Sequence, residues 1–172
     1  FRAKGSRTRP VDHATESEIN GATGLSESPQ SDGIPLLATI ILFFIRSGLE
    51  PRLWKRDIAR AYRTLPIFGH HLEFSWVVFA FLGCLWISQH RAMPFGTVSA
   101  VLAWHRMGNF LEAIVVRLGR APIARYVDDF FGASRRGVHW TGGRLLETFA
   151  ALLGCPADLA KSADDLLEMV VL

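Results

Sequence analysis

Two adjacent carboxylates, Asp128 and Asp129, are the residues of this sequence whose types and placement best suit chemistry. Apolar or aromatic residues flank them on both sides, at positions 123–124 and 130–131. Two strand-like runs around a polar pair predict a β-hairpin with the acids at its turn. Because side chains alternate across a strand, both acids cannot face a core. A carboxylate beside so much apolar surface must be solvated, paired or metal-bound; the alternative is an ordinary Asp-containing turn.

Asp57 repeats this arrangement earlier in the chain. It ends a strand-like segment, residues 53–56, and precedes residues 58–62. Acids delivered by two strand ends suit two divalent cations ~3.5–4 Å apart, which clamp the attacking and leaving oxygens of a displacement at phosphorus. Carboxylates without nearby His or Cys favour Mg²⁺ or Mn²⁺ over zinc. The chemistry that fits is phosphoryl or nucleotidyl transfer, and a helix N-cap is the alternative for Asp57.

The elements that must position these acids follow from hydrophobic periodicity. Residues 34–46 predict a buried helix, and residues 74–87, rich in aromatic and β-branched types, predict one or two central strands. Residues 98–118 predict a long amphipathic helix. Thr141 is predicted to cap a second helix that Gly154 terminates. The order of strand, helix, hairpin, helix and strand predicts an α+β fold with helices on one face of an antiparallel sheet.

Composition bounds the class of protein. The chain has 172 residues, of which 49% are apolar and 20% charged, which indicates a globular domain or a large part of one. The net charge of +3 is weak support for a nucleic-acid partner. Cys84 and Cys155 lie far apart, which fits a reducing compartment and gives neither a disulfide framework nor a zinc pattern.

The two longest apolar runs, residues 34–45 and 74–87, are shorter than the ~20 residues of a membrane-spanning helix. We therefore predict that both are core elements and that no membrane is a partner; a small apolar structural or membrane-associated domain is the alternative. Residues 1–33 predict a basic arm and a loop, or a hairpin whose partner is missing. The chain begins at Phe1 and ends on an apolar run, residues 168–172, so we expect it to be a piece of something longer.

Four segments, in this order, resemble the motifs of reverse transcriptases. Residues 55–67 (KRDIARAYRTLPI) are similar to the first catalytic motif, in which an aromatic residue follows an Asp by five positions and a Pro and an aliphatic residue end the segment. Residues 93–100 resemble the second, a Pro-x-Gly loop that opens a helix. Residues 126–129 are similar to the signature tetrapeptide, and residues 153–162 resemble a fourth motif with Leu-Gly and a later Lys. The final apolar run resembles the start of the primer-grip hairpin.

The resemblance implies a right-hand polymerase palm, an antiparallel sheet with helices packed on one face, together with part of the fingers. Residues 1–50 would form partial fingers with a basic N-terminal arm. Residues 51–172 would form the palm with its catalytic motifs, cut off before the thumb.

The resemblance also implies roles for the acidic residues. Asp57, Asp128 and Asp129 would bind two Mg²⁺ or Mn²⁺ ions, with the carbonyl of Ile58 as a further ligand. Lys161 would lie near the triphosphate and protonate the departing pyrophosphate. From the residue type alone, a solvated lysine near a helix end is the alternative for Lys161.

Substrate-binding residues are implied in the same way. Tyr62 would lie under the sugar of the incoming nucleotide and exclude a ribose 2′-hydroxyl, while Phe95 and Gly96 would shape the pocket over the nascent base pair. Arg7 or Arg9 would contact the triphosphate. The alternatives are a core aromatic for Tyr62 and a residue that only permits a tight turn for Gly96.

The implied function is that of an RNA-directed DNA polymerase fragment from a retroelement polyprotein, which adds deoxynucleotides to a primer 3′-hydroxyl. Its partners would be an RNA or DNA template with primer, deoxynucleoside triphosphates, and the remaining polyprotein domains, a thumb and a ribonuclease H. An inactive remnant that still binds nucleic acid is the alternative. Such polymerases work in cytoplasmic particles or at nuclear targets, and the sequence favours neither.

Overall fold

The computed structural model describes residues 14–25, 27–138 and 141–167, and the backbone of residues 2–4 and 7–9. The chain folds into two compact units. The first comprises Phe1–Ser28 and Tyr62–Ala103, and the second comprises Pro29–Ala61 and Trp104–Leu172. The predicted domain boundary at residue 50 falls inside the second unit.

The described elements follow the predicted order closely. They are β1 (Arg2–Lys4), β2 (Arg7–Arg9), α1 (Ile19–Ala22), α2 (Ile34–Arg46), β3 (Pro51–Asp57), β4 (Trp76–Phe81), β5 (Cys84–Gln89), α3 (Val98–Arg117), β6 (Ile123–Tyr126), β7 (Asp129–Arg135), α4 (Gly142–Leu152) and β8 (Ala163–Leu166), with short 3-10 helices at Ala61–Thr64 and Gly69–Phe74. The predicted cap of α4 is confirmed, since the Thr141 hydroxyl accepts a hydrogen bond from the Arg144 amide at 3.2 Å. Gly154, at φ +76°, follows the end of this helix in the left-handed region.

The second unit is built on a four-stranded antiparallel sheet with the order β6-β7-β3-β8. Strand β3 pairs with β7 along its whole length, from Pro51 opposite Arg135 to Asp57 opposite Asp129. Strands β6 and β7 form a hairpin whose turn contains Val127 and Asp128. The predicted α+β class and the hairpin around Asp128 are confirmed.

Helices cover both faces of this sheet, so the prediction of helices on one face is wrong. On one face Leu53 of β3 is buried with Leu37, Ile40 and Phe44 of α2. On the other face the Trp54 indole lies so close to α4 that a Cβ added at Gly143 would be 2.8 Å from it. Neighbouring residues of a strand point to opposite faces. Because β3 places a large apolar side chain on each face of the sheet, each face must be packed against another element.

The first unit contains a second departure from expectation. Residues 74–87 do form strands, but among the described residues β4 and β5 pair only with each other, in a two-stranded sheet. Leu82 and Leu85 near its tip are 85% and 79% exposed. The prediction that this run is a core element is therefore wrong, because a two-stranded sheet that is apolar on both faces cannot bury either face by itself.

For α2, the core prediction holds on one side of the helix only. Leu37, Ile40 and Phe44 are buried, whereas Ile34 and Phe43 are exposed.

Among the residues that the structure describes, no helix combines the length and the apolar character needed to cross a membrane.

Packing of α4 on the sheet yields a stability prediction. Leu146 on α4 is fully buried, so Leu146→Ala leaves a cavity and should lower the free energy of unfolding by about 2–5 kcal/mol. Leu152 on the same helix is 76% exposed, and Leu152→Ala should change it by no more than about 0.5 kcal/mol. Urea denaturation of both variants measures the difference. Equal losses would contradict the described packing of α4.

Candidate catalytic site

The three acidic residues singled out from the sequence lie at one end of the β3–β7 pair. Asp57 and Asp129 are directly opposite each other in the register, so their side chains share one face of the sheet. Asp128 precedes Asp129 in the turn, and its carbonyl accepts a hydrogen bond from the Ile58 amide at 3.3 Å. The pairing thus brings the acids of two distant motifs together, with the backbone of Ile58 beside them.

Lys161 is the fourth predicted residue at this place. Its Nζ lies 2.6 Å from Asp57 Oδ2 and 3.8 Å from Asp158 Oδ2. The backbone explains the approach, because the Asp158 amide donates to the Asp57 carbonyl at 2.7 Å and starts the turn that leads to Lys161. The structure therefore pairs Lys161 with Asp57, while the lysine side chain remains exposed.

Lys55 is a second cation at the site, and sequence reasoning missed it. Its Nζ lies 3.2 Å from Asp129 Oδ1, an ion pair on the same face of the sheet. That oxygen is buried and receives no hydrogen bond of good geometry. The signal was available in the sequence, since Lys55 stands two residues before Asp57 in a strand and must share its face.

The pKa of the Asp128 carboxyl is raised above its ordinary value. Burial is the main cause, and the charges of Asp57 and Asp129 add to it, whereas a backbone hydrogen bond and Lys161 act in the opposite direction. A cation bound beside the Asp128 carboxylate would favour its charged form and so oppose this increase.

The three carboxylates are of the chemical type that binds a divalent metal, but their side chains are not arranged around a common point. Carboxylate oxygens are the ligands that Mg²⁺ and Mn²⁺ prefer, and the buried Asp129 Oδ1 has the Lys55 ammonium beside it but no hydrogen bond. Among the described residues, however, no group of three His, Cys, Asp or Glu side chains surrounds one point. Lysine ammonium groups instead neutralise Asp57 and Asp129, so a metal would have to displace them or bind beside them.

The turn that carries Asp128 has an uncommon backbone. Val127 has φ +55°, in the left-handed region that a β-branched residue rarely adopts. Its carbonyl accepts hydrogen bonds from Trp104 Nε1 at 2.9 Å and from Arg125 Nη1 at 3.0 Å. Trp104, which lies within the predicted amphipathic helix, is fully buried, but its polar contact with this turn was not predicted.

Arg125 is buried and bonded on every side. Its guanidinium contacts Glu112 Oε2 at 3.2 Å, Asn109 Oδ1 at 2.6 Å and His105 Nδ1 at 3.2 Å, all on α3. Its amide donates to Asp32 Oδ2 at 3.1 Å. Burial raises the pKa of Glu112 to about 7, and the nearby Asp32 carboxyl contributes in the same direction while Arg125 opposes it. An arginine within an apolar strand was the sequence signal for this cluster.

Arg56 connects strand β3 to helix α4 and to strand β8. Its buried guanidinium bonds Glu147 of α4 at 3.2 Å and Asp164 of β8 at 2.7 Å. It also donates to the Ala163 carbonyl at 3.0 Å. These bonds hold β8, which begins two residues after Lys161, against β3.

The predicted nucleotide-pocket residues belong to the first unit. The rings of Tyr62 and Phe95 lie 5.0 Å apart, edge to face. Gly96 has φ +95°, which explains glycine at this turn. Asn20 holds the loop, because its Nδ2 donates to the Gly96 carbonyl and its Oδ1 accepts from the Val98 amide, both at 2.9 Å. Sequence reasoning did not assign a role to Asn20.

Two predictions fall outside the described residues. Arg7 and Arg9 lie in β2, of which only the backbone is described, so their contact with a triphosphate stays a prediction. The apolar run at 168–172, predicted as the start of a primer grip, also lies outside.

Comparison with known proteins adds no family assignment. No protein-family model matches the chain, and a search of curated proteins found no match either. The function of the site is therefore inferred from its own residues and contacts.

The raised pKa of Glu112 predicts a pH dependence of stability. The folded chain holds this proton more tightly than the unfolded chain does, so the resulting stability is fully present below pH 4.5 and is lost as the pH rises through about 7. Urea unfolding at several pH values should show this loss in the wild type, and Glu112→Gln should remove it.

Glu50→Gln is the control for this experiment. A hydrogen bond and ion pair from Arg136 lower the pKa of that exposed carboxyl, so its effect lies below pH 4.5. Between pH 4.5 and 7 its profile should follow the wild type. Parallel profiles for the wild type and Glu112→Gln would contradict the assignment of the proton to Glu112.

Proposed function

We propose that this chain is part of an RNA-directed DNA polymerase of the reverse transcriptase type, from a retroelement. The observation that supports this most is the convergence of predicted residues. Asp57 and Asp129 face each other across paired strands, and the Lys161 ammonium lies 2.6 Å from Asp57. Residues drawn from three separate motifs thus form one charged cluster.

The second unit is proposed to be the palm. Its antiparallel sheet carries Asp57 at the end of β3 and Asp128 in the adjacent hairpin turn, as the resemblance to polymerases requires. The first unit, with Tyr62, Phe95 and Gly96, is proposed to contribute the fingers. The helix α2 on the face that bears Asp57 and Asp129 departs from the expected layering.

Asp57, Asp128 and Asp129 would hold the divalent cations in this proposal. Two such ions supply activation of the primer 3′-hydroxyl and stabilisation of the charge that develops on the pyrophosphate. The chain's own contribution is a fixed cluster of negative charge, set by the β3–β7 register and not by flexible loops.

Lys161 would act as the proton donor in the same reaction. Its ammonium is paired with Asp57, which places it beside one of the residues that would hold a cation. It would deliver a proton to the departing pyrophosphate. Tyr62 and Phe95 keep the roles implied by the resemblance, exclusion of a ribose 2′-hydroxyl and shaping of the pocket for the base pair.

A second candidate function is a nucleic-acid-binding remnant that no longer catalyses. One observation favours it, since two of the three acids are already paired with lysine side chains. Its template contacts would be electrostatic contacts with phosphates, independent of sequence.

Primer extension on an RNA template with Mg²⁺, and separately with Mn²⁺, tests the proposal. Asp128→Asn removes one carboxylate at nearly constant shape and should lower the extension rate at least about 100-fold. Asp165→Asn changes an exposed acid on β8 and should leave the rate unchanged. Equal extension by wild type and Asp128→Asn would refute the catalytic role of this acid, and template binding by the wild type without extension would favour the remnant.

A further inference from the structure

The turn before Asp128 is held by two buried side chains that donate to the same carbonyl. Trp104 and Arg125 are 0% and 2% exposed, and both bond the carbonyl oxygen of Val127. We propose that Trp104 and Arg125 are positioning residues, which keep Val127 in its left-handed conformation and so aim the Asp128 carboxylate. Only the catalytic consequence rests on the proposed function.

The two bonds matter because the Val127 conformation is unfavourable by itself. A β-branched residue at φ +55° is strained, and such a conformation persists only where the surroundings determine it. A carbonyl oxygen has two lone pairs, and Trp104 and Arg125 occupy both. Loss of either donor therefore removes one of the two bonds that restrain this carbonyl.

Because the peptide group is planar, the hydrogen bonds that restrain the Val127 carbonyl also restrain Asp128. The Val127 carbonyl and the Asp128 amide belong to one planar peptide unit. Fixing the direction of the carbonyl therefore fixes the plane from which the Asp128 side chain departs. On the other side of Val127, its amide donates to Ser31 Oγ at 3.4 Å, so both peptide units of this residue are held.

One face of α3 is shaped to receive the Arg125 guanidinium. His105, Asn109 and Glu112 contact it, and they recur at helical spacing on one side of α3. Gly108 lies among them, and a Cβ there would be only 2.6 Å from Arg125 Nε. A lysine cannot reproduce these contacts, since its ammonium lacks the planar fork of the guanidinium.

The experiment compares Arg125→Lys and Trp104→Phe with two matched controls. Arg56→Lys removes an equally buried guanidinium from the same sheet, and Trp86→Phe removes an indole from the exposed β4–β5 hairpin. The first readout is the backbone carbon chemical shifts of Val127 in NMR spectra, which report the left-handed conformation. The second is the affinity for Mn²⁺, measured by EPR of the free ion.

We expect both test variants to lose the left-handed signature of Val127 and to bind Mn²⁺ about 10–100-fold more weakly. The controls should keep both properties. The double variant Arg125→Lys with Val127→Gly should regain Mn²⁺ affinity, because glycine adopts the left-handed conformation without support. A merely structural role for Arg125 predicts no such rescue.

The inference is overturned if Val127 keeps its left-handed signature and Mn²⁺ affinity is unchanged in both test variants. It is also overturned if the glycine substitution fails to restore binding in a folded double variant. Absence of Mn²⁺ binding by the wild type would instead count against the proposed function. In that case the Val127 shifts of the variants still decide the positioning role.

Discussion

The pairing of β3 with β7 is the interaction on which the rest of this structure depends. Its register sets Asp57 opposite Asp129 and Leu53 opposite Ala133, so the same ladder positions the acids and the core. A shift by one residue would turn every side chain of β3 to the other face, placing Asp57 in the layer of Trp54. Such a shift would be energetically unfavourable, because it would disrupt the packing of α2 on Leu53 and of α4 on Trp54. The precision of the acidic cluster is therefore a consequence of core packing.

Charge is the second constraint on this corner of the sheet. Three neighbouring carboxylates repel one another, and burial raises the pKa of the one in the turn. Lys55 and Lys161 offset part of this repulsion by pairing with Asp129 and Asp57. The lysines balance the charge of the acidic strand ends when no metal is bound. A divalent cation that bound to these carboxylates would have to replace the lysine ammonium groups as their partners. The same pairs would also restrain the acids in a remnant that has lost catalysis.

The sequence predicted what local pattern determines. The bounds of α2, the long helix α3, the Thr141 cap and the hairpin around Asp128 all follow from periodicity and turn chemistry. It failed where the answer depends on which partner covers a surface, as in the exposed β4–β5 hairpin and the second layer of helices. It also missed Lys55, Asn20 and Arg125, because their roles are contacts between elements distant in sequence. The resemblance to known motifs identified the acidic residues, but it did not identify the side chains that position them.

The metal site can be tested with crystals of the chain soaked in Mn²⁺, by recording anomalous diffraction at the manganese edge. We predict manganese at the end of β3, bound by carboxylate oxygens of Asp57 and Asp128. We also predict that Lys161 Nζ moves away from its present position 2.6 Å from Asp57. A saturating soak that leaves this corner without an anomalous peak, with Lys161 still paired to Asp57, would contradict a metal-dependent transferase.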